Sequence, residues 1–309
     1  MTIEASSGTS QKTGRSLRPE SGNFQEMDIR KIAVVGAGTM GQGIAQQCAI
    51  CGIDVILLDV SEVALQKAST AIDQRLVWLV ELQKIDGARR DEAYGRIRYS
   101  TDYESAAAAD LFIEAATENL TVKSAILGKL EAVASSEALV ATNTSSLSIT
   151  RLASVLKDRT RFIGMHFFNP VTVLPLVEVV RGLSTSDATH SSVLAFCEKI
   201  GKKPISVRNS PGFLVNRLLC PMINEAVFAL QEGVATAQDI DLGMKLGCNQ
   251  PIGPLALADL IGLDTLLAIM QVLASDFGDQ KFRPAQLLIE MVDAGRLGRK
   301  SGQGFFTYC

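Results

Sequence analysis

Histidine is scarce in this chain, and aromatic residues are few. The 309 residues include two histidines and one tryptophan, and aromatic residues make up 6% of the total. Because histidine is the commonest metal ligand and the usual general base near neutral pH, any such role falls on His166 or His190. Neither histidine lies in a cluster with metal-ligand spacing, so we expect no metal site.

An excess of positive charge and long apolar runs are also missing. The formal net charge is −3 at pH 7, which argues against a nucleic-acid partner. No apolar run approaches the ~20 residues that span a membrane, although 47% of the residues are apolar. We expect a packed soluble protein in the cytoplasm, with no membrane or nucleic-acid partner.

The cysteines show no pairing pattern. All six are scattered along the chain, as is typical of a reducing compartment. Cys48 and Cys51 form a CxxC, but they lie within a predicted helix with no second pair nearby, so core packing is the expected role.

Residues 1–27 are rich in Ser, Gly, Thr and Gln. They lack the apolar segment of a secretory signal, and three glutamates weaken a mitochondrial transit interpretation. We predict a disordered tail, with Met27 as an alternative start of translation.

A glycine-rich stretch follows, around which the rest of the chain is organised. Residues 31–35 read as a buried strand, and Gly36, Gly38 and Gly41 complete a GxGxxG pattern that leads into a helix containing Thr39 and Met40. These glycines permit a tight turn, close approach of a pyrophosphate and packing of helix on strand. The helix directs its N–H groups and positive dipole end at the phosphates. The pattern predicts dinucleotide binding.

Asp59 indicates which dinucleotide is bound. It ends a second apolar run, 55–58, close to the ~20 residues after the glycines at which a carboxylate binds the adenosine ribose. No arginine follows closely, and a carboxylate repels a 2′-phosphate. We therefore expect NAD rather than NADP.

Strands and helices alternate up to residue 209, which predicts an α/β fold: a Rossmann-type dinucleotide-binding domain with a mostly parallel sheet. The boundary at Asn209-Ser210-Pro211-Gly212 divides this domain, 28–209, from a smaller all-α domain, 210–309, for substrate binding and dimerisation. We expect one continuous helix from Leu255 to Ala274 in the second domain.

His166 is the stronger candidate for a general base. It follows an apolar strand, whereas His190 lies among polar residues at a helix start, where a surface position is expected. Positions 166 and 178 are symmetric about Thr172, so a hairpin there makes His166 and Glu178 cross-strand neighbours. Such a pair beside a nicotinamide is a general base held in one tautomer.

Several motifs resemble the L-3-hydroxyacyl-CoA dehydrogenase family, with its short 3-hydroxybutyryl-CoA dehydrogenases the most similar. In chain order they are GAGTMGQGIAQ, EAATEN, NTSSLSIT, GMHFFNPV, VEVV, NSPGFLVNR, IGPLALADLIGLD and GRKSGQGFF. The resemblance covers residues 29–308.

The resemblance implies roles for individual residues. His166 would be the catalytic base and Glu178 its orienting partner. Ser145 would contact the substrate's C3 oxygen beside the nicotinamide, and Asn216 would complete the polar cluster from the second domain. Further cofactor contacts would come from Ala115, Glu118 and Lys123.

The implied reaction is the interconversion of an L-3-hydroxyacyl-CoA and its 3-ketoacyl-CoA with NAD, by an acyl-CoA-binding homodimer. Arg75 or Lys84 is a candidate for the CoA phosphates, because the lysine-rich segment of many relatives is missing here, and an acyl-carrier protein stays an alternative carrier. Rival functions are a lysine-dependent β-hydroxyacid dehydrogenase, a gulonate-type sugar-acid dehydrogenase and a crystallin-like NAD-binding protein.

Overall fold

The structure, a computed structural model, describes residues 26–308. The predicted disordered tail therefore lies almost wholly outside the described residues. Met27, at the edge of that prediction, packs against the core, and its backbone N–H donates to the Ser192 hydroxyl at 3.0 Å.

One eight-stranded sheet forms the first domain, in the order β3-β2-β1-β4-β5-β6-β7-β8. Its pairs are parallel except for β6 with β7. The strands are β1 (Lys31–Val35), β2 (Asp54–Leu58), β3 (Ile97–Ser100), β4 (Leu111–Glu114), β5 (Leu139–Thr142), β6 (Phe162–Phe167), β7 (Leu176–Arg181) and β8 (Lys203–Arg208).

Strand β1 shows why the central strands read as continuous apolar runs. Ile32 and Val34 belong to the buried cluster on one face of the sheet, and Ala33 and Val35 belong to the cluster on the other. Successive side chains of a strand point to opposite faces, and helices cover both faces here, so neither set meets water. The predicted mostly parallel Rossmann-type sheet is confirmed.

Six helices of the described chain belong to the first domain. They are α1 (Thr39–Ile50), α2 (Glu62–Glu81), α3 (Gly87–Gly95), α4 (Leu120–Val133), α5 (Ile149–Leu152) and α6 (Asp187–Lys199).

The hairpin at the end of the sheet has the register that the sequence predicts. Strands β6 and β7 are antiparallel, and His166 is the direct partner of Glu178. Both side chains therefore lie on the same face, one strand apart.

The second domain is helical and has its own core. Its helices are α7 (Val215–Gln231), α8 (Ala237–Gly247), α9 (Pro254–Ile261), α10 (Leu263–Phe277) and α11 (Gln286–Asp293).

The prediction of one helix from Leu255 to Ala274 is wrong. Helices α9 and α10 meet at an angle of 98°, because Gly262 between them has φ +101°, a conformation that continues no helix. Among residues 26–308, no single helix is long and apolar enough to cross a membrane; α9 and α10 reach that length and composition only as this bent pair.

The surface position expected for His190 is also wrong. Its side chain is fully buried on α6, and its Nε2 lies 3.1 Å from the Ser206 hydroxyl on β8. Burial, reinforced by the positive charge of Arg181 and opposed by Asp187, lowers the pKa of His190 to about 4. This histidine is neutral at physiological pH and belongs to the core.

Candidate functional site

The glycine-rich turn between β1 and α1 is closed by backbone contacts that exclude side chains. A Cβ on Gly36, which has φ +109°, would lie 2.7 Å from the Ala115 carbonyl oxygen. A Cβ on Gly41 would lie 1.8 Å from the Gly36 carbonyl oxygen. Both glycines are therefore required by the fold, and they bring β1, α1 and the end of β4 into contact.

Gly38 differs from these two, because its missing side chain faces open space. Apart from Gly38 itself and its two neighbours in the chain, no atom lies within 4 Å of the position that its Cβ would take. Gly38 is the N-cap of α1, and no side chain caps that helix. The N–H groups around Thr39 and Met40 thus border an open space at the positive end of a helix dipole, which fits a pyrophosphate.

Asp59 lies at the carboxyl end of β2, beside the same turn. Its Oδ2 accepts a hydrogen bond from the Ala37 N–H at 2.8 Å, and its Oδ1 accepts one from the Ser61 N–H at 2.9 Å. These bonds fix the carboxylate next to the glycine loop. Each oxygen keeps a further acceptor position, as a ribose diol requires.

Buried polar groups join the ends of β4 and β5. The carboxylate of Glu114 is fully buried, and its Oε2 accepts from the Lys123 ammonium and from the Thr142 hydroxyl, each at 2.7 Å. Its Oε1 accepts from the Ala116 N–H at 2.8 Å. The charge of Lys123 is thus paired inside the protein, and its predicted contact with the cofactor stays a prediction.

Glu118 connects this cluster to Ser145. Its Oε1 accepts from the Ser145 N–H at 2.5 Å, its Oε2 accepts from the Thr144 hydroxyl at 2.7 Å, and the Lys123 ammonium lies 4.0 Å from Oε2. Ala115, the residue after β4, contacts the glycine turn. Several predicted cofactor residues therefore lie together beyond the carboxyl ends of the central strands β1, β4 and β5. They are Gly36, Ala115, Glu118, Lys123 and Ser145.

His166 and Glu178 form a buried pair on the neighbouring strands β6 and β7. The His166 Nδ1 lies 2.7 Å from the Glu178 Oε2, and the side chains are 9% and 0% exposed. A carboxylate only accepts hydrogen bonds, so Nδ1 carries the proton and the unprotonated nitrogen of the neutral ring is Nε2. The pair can therefore take up a proton at Nε2.

The second oxygen of Glu178 is bonded to the helical domain. Oε1 accepts hydrogen bonds from the backbone N–H groups of Leu214 at 3.0 Å and Val215 at 2.9 Å, at the start of α7. Asn216 is the next residue along this helix, so the polar residue predicted from the second domain lies one position from the groups that bind the dyad's carboxylate.

Asn143 brings the loop of Ser145 to the dyad. Its Oδ1 accepts from the N–H of Phe167, the residue after His166, at 2.9 Å. Among residues 26–308, the Ser145 hydroxyl and the Asn216 amide make no hydrogen bond with His166 or Glu178. The structure thus joins His166 and Glu178 directly, whereas Ser145 and Asn216 are connected to them only through the nearby residues Asn143 and Val215.

Two aromatic rings lie beside His166 that are not among the site residues predicted from the sequence. The ring of Phe168 lies 4.6 Å from the imidazole, centroid to centroid, and the ring of Phe213 lies 5.7 Å away. Both phenylalanines belong to the motifs HFFNP and PGF, so their position in those motifs was the available signal. The role of the Leu214 and Val215 N–H groups cannot be predicted from the sequence, because every residue type except proline has a backbone N–H.

Two family models together match almost all of the described residues. The 3-hydroxyacyl-CoA dehydrogenase NAD binding domain matches residues 31–210, and the C-terminal domain of the same family matches residues 212–308. The chain belongs to the 3-hydroxyacyl-CoA dehydrogenase family. It is an NAD-dependent oxidoreductase, and the boundary between the two matches coincides with the turn before α7.

Individual relatives of the family agree with this assignment. A probable 3-hydroxybutyryl-CoA dehydrogenase of Deinococcus radiodurans is 48% identical over 90% of this chain and 100% of that protein. A 3-hydroxybutyryl-CoA dehydrogenase of Clostridioides difficile is 47% identical over 90% and 99%. The crystal structure of the (S)-3-hydroxybutyryl-CoA dehydrogenase PaaH1 of Ralstonia eutropha is 54% identical, with a TM-score of 0.89 over 91% of this chain and 100% of that one.

Proposed function

We propose that this protein interconverts (S)-3-hydroxybutyryl-CoA and acetoacetyl-CoA with NAD, using His166 as the general base and Glu178 as the group that orients it. The relatives named above support the substrate. The observation that carries the mechanism is the buried hydrogen bond of 2.7 Å between the two side chains.

The environment of Glu178 explains how the base is prepared. Both carboxylate oxygens are occupied, one by His166 and the other by the N–H groups of Leu214 and Val215. The carboxylate is therefore fixed in position, and the imidazole bonded to it presents Nε2 to the substrate in the form that accepts a proton.

The oxidation step then divides between the protein and its cofactor. When bound, NAD⁺ would supply the acceptor for the hydride that leaves C3 of the thioester. Nε2 of His166 takes the proton of the 3-hydroxyl group, so that a carbonyl forms at C3. In the reverse direction the protonated imidazole returns that proton to the oxygen. Glu178 stabilises the positive charge of the imidazole while it is protonated.

Ser145 and Asn216 are proposed to hold the C3 oxygen. Each belongs to a fixed backbone: the N–H of Ser145 is bonded to Glu118, and Asn216 follows the residues bonded to Glu178. Placing C3 against the nicotinamide in this way avoids the entropy cost of orienting two reactants. A positioned general base contributes a further ~10²–10⁴-fold.

Arg75 is proposed to bind the CoA phosphates. Its guanidinium donates to the Gln42 side chain at 2.7 Å, and Gln42 in turn donates to the Ala37 carbonyl of the glycine loop at 2.8 Å. Arg75 is thus fixed near the cofactor site, whereas Lys84 is exposed beyond the end of α2. An acyl-carrier-protein thioester is the alternative substrate.

We further propose a homodimer that acts in the cytoplasm, without nucleic acid or membrane. Apolar side chains of the helical domain support the dimer: Leu218 is 65% exposed, Leu242 51% and Leu246 77%. Leu242 and Leu246 lie one turn apart on α8, which makes an apolar stripe for a second copy. Sedimentation of the wild type and of a Leu242→Glu, Leu246→Glu variant tests this, and monomers in both would contradict it.

Oxidation of NADH with acetoacetyl-CoA tests the proposed reaction. We expect rapid turnover with this thioester, and slower turnover with longer 3-ketoacyl-CoA substrates and with acetoacetyl-acyl-carrier protein. The His166→Ala variant should be nearly inactive, whereas His190→Gln, which alters the other histidine, should retain its activity. Oxidation of free sugar acids with no reduction of acetoacetyl-CoA would contradict the proposal and favour the gulonate-type alternative.

A further inference from the structure

We propose that Phe213 is a positioning residue for the reaction, and that it fixes the catalytic base from the side of the helical domain. Its backbone directs two N–H groups at Glu178, and its ring packs against His166. This inference rests on the proposed function, because it assigns Phe213 a role toward the base identified there.

The chain before Phe213 makes a tight turn whose type follows from the sequence. The N–H of Phe213 donates to the Ser210 carbonyl at 2.9 Å. Pro211 and Gly212 are the central residues, and Gly212 has φ +71°. Proline followed by a glycine of positive φ defines a type II turn. A Cβ on Gly212 would lie 2.8 Å from the Leu273 side chain, so this turn is fixed against the helical core.

Phe213 itself has φ +51°, in the left-handed region that residues with a Cβ avoid. Within residues 26–308, the other non-glycine residues with positive φ are Gln83 and Asn249. Both are exposed and come soon after the end of a helix, where a left-handed residue is common. Phe213 instead precedes a helix and is 3% exposed. The ordinary reason for this conformation therefore does not apply.

The strained residue determines where the next two N–H groups point. Leu214 is the N-cap of α7, and no side-chain hydrogen bond caps this helix locally. The N–H groups of Leu214 and Val215 donate to Glu178, a residue of the other domain. A carboxylate is favourable at the N-terminus of a helix. The turn thus makes the catalytic glutamate the cap of α7.

The ring of Phe213 contacts the other member of the dyad. It lies 5.7 Å from the His166 ring at an interplanar angle of 60°, and Phe168 lies at 4.6 Å and 50°. Both distances and tilts are typical of favourable aromatic pairs. With Nδ1 bonded to Glu178, these two rings limit the rotation of the imidazole, so that Nε2 keeps its direction toward the substrate.

The test compares Phe213→Leu with Phe282→Leu. Phe282 is a buried phenylalanine of the helical core, 4% exposed, that makes no aromatic contact with His166. We expect Phe213→Leu to lower kcat for acetoacetyl-CoA reduction by about 10-fold to 10²-fold, the cost of a misplaced reacting group. The KM values for NADH and the thioester should stay close to wild type. Phe282→Leu should lower the melting temperature and leave kcat unchanged.

A third variant separates the ring from the backbone. Phe213→Gly relieves the strain at this position but also removes the ring, so it should lose at least as much kcat as Phe213→Leu. Wild-type kcat in either variant would overturn the proposal, as would an equal loss of kcat in Phe282→Leu.

Proton NMR tests the geometry without turnover. The Nδ1–H of His166 should give a far-downfield resonance in the wild type, assigned by its persistence in His190→Gln, with a nuclear Overhauser effect to the ring of Phe213. We expect it to persist in Phe282→Leu and to broaden or vanish in Phe213→Leu. Its absence from the wild type, or an unchanged signal in Phe213→Leu, overturns the positioning role. Because this measurement needs no substrate, it stays decisive if acetoacetyl-CoA proves to be the wrong substrate.

Discussion

His166 and Glu178 face each other across β6 and β7, and one hydrogen bond of 2.7 Å joins Nδ1 of the histidine to Oε2 of the glutamate. Glu178→Gln keeps the size of the side chain but introduces an N–H donor and removes the negative charge. An N–H directed at Nδ1 favours the tautomer that carries its proton on Nε2, which then cannot accept one. We expect kcat to fall ~10²–10⁴-fold with little change in NADH affinity.

The double variant tests whether the pair acts as a unit. His166→Ala should cost more activity than Glu178→Gln, and combining both should cost little beyond His166→Ala. Glu131→Gln is the matched control, because this carboxylate is only 9% exposed and is paired with Arg161 at 2.7 Å, but lies outside the site. Additive losses, or full activity in Glu178→Gln, would contradict the assignment of the base.

Cofactor choice should depend on Asp59. Asp59→Ala removes both the acceptor for the ribose hydroxyls and the charge that repels a 2′-phosphate. It also removes the bond to the Ala37 N–H in the glycine loop. We expect NADH to bind more weakly and the preference for NADH over NADPH to narrow, as measured by kcat/KM for each. A wild type that prefers NADPH would refute the assignment.

Substitutions at different glycines of the turn should affect the stability of the fold and the binding of the cofactor separately. Gly38→Ala places its Cβ in open space, so the melting temperature should hardly change while the Kd for NADH rises, because the methyl group obstructs the pyrophosphate. Gly41→Ala should destabilise the fold, since its Cβ would overlap the Gly36 carbonyl. Gly128→Ala, in open space on α4, is the control and should stabilise the helix by up to ~1 kcal/mol without affecting NADH binding.

His190 should make the protein sensitive to acid. Burial lowers its pKa from 6.5 to about 4, so the unfolded chain binds a proton at a pH where the folded one does not. The contribution of neutral His190 to the free energy of unfolding is therefore fully present above pH 6.5. As the pH falls toward 4, up to ~3 kcal/mol of this free energy is lost. His190→Gln should reduce the fall in Tm between pH 7 and pH 5. An identical fall in both proteins would contradict this.

The parts of the site that the sequence predicted are those encoded by local pattern. The glycine turn follows from spacing, and the pairing of His166 with Glu178 follows from a hairpin centred near Thr172, because register fixes cross-strand partners. His190 was misjudged because its sequence neighbours are polar, whereas its environment is set by Ser206 on a later strand.

The misread helix and the cap of α7 had other causes. The apolar run from Leu255 to Ala274 fits a single helix by composition, and Gly262 was the overlooked signal for a bend. The bonds from Leu214 and Val215 to Glu178 come from backbone groups, which every sequence supplies alike, so only the three-dimensional structure reveals them.

Because Glu178 has two roles, natural selection acts differently on the two members of the dyad. Loss of His166 removes one partner of Glu178, while the cap of α7 stays in place. Loss of Glu178 leaves two N–H groups without a partner where the two domains meet, so Glu178→Ala should lower Tm more than His166→Ala does. A descendant of this enzyme that abandoned catalysis could discard the imidazole and would still retain the carboxylate.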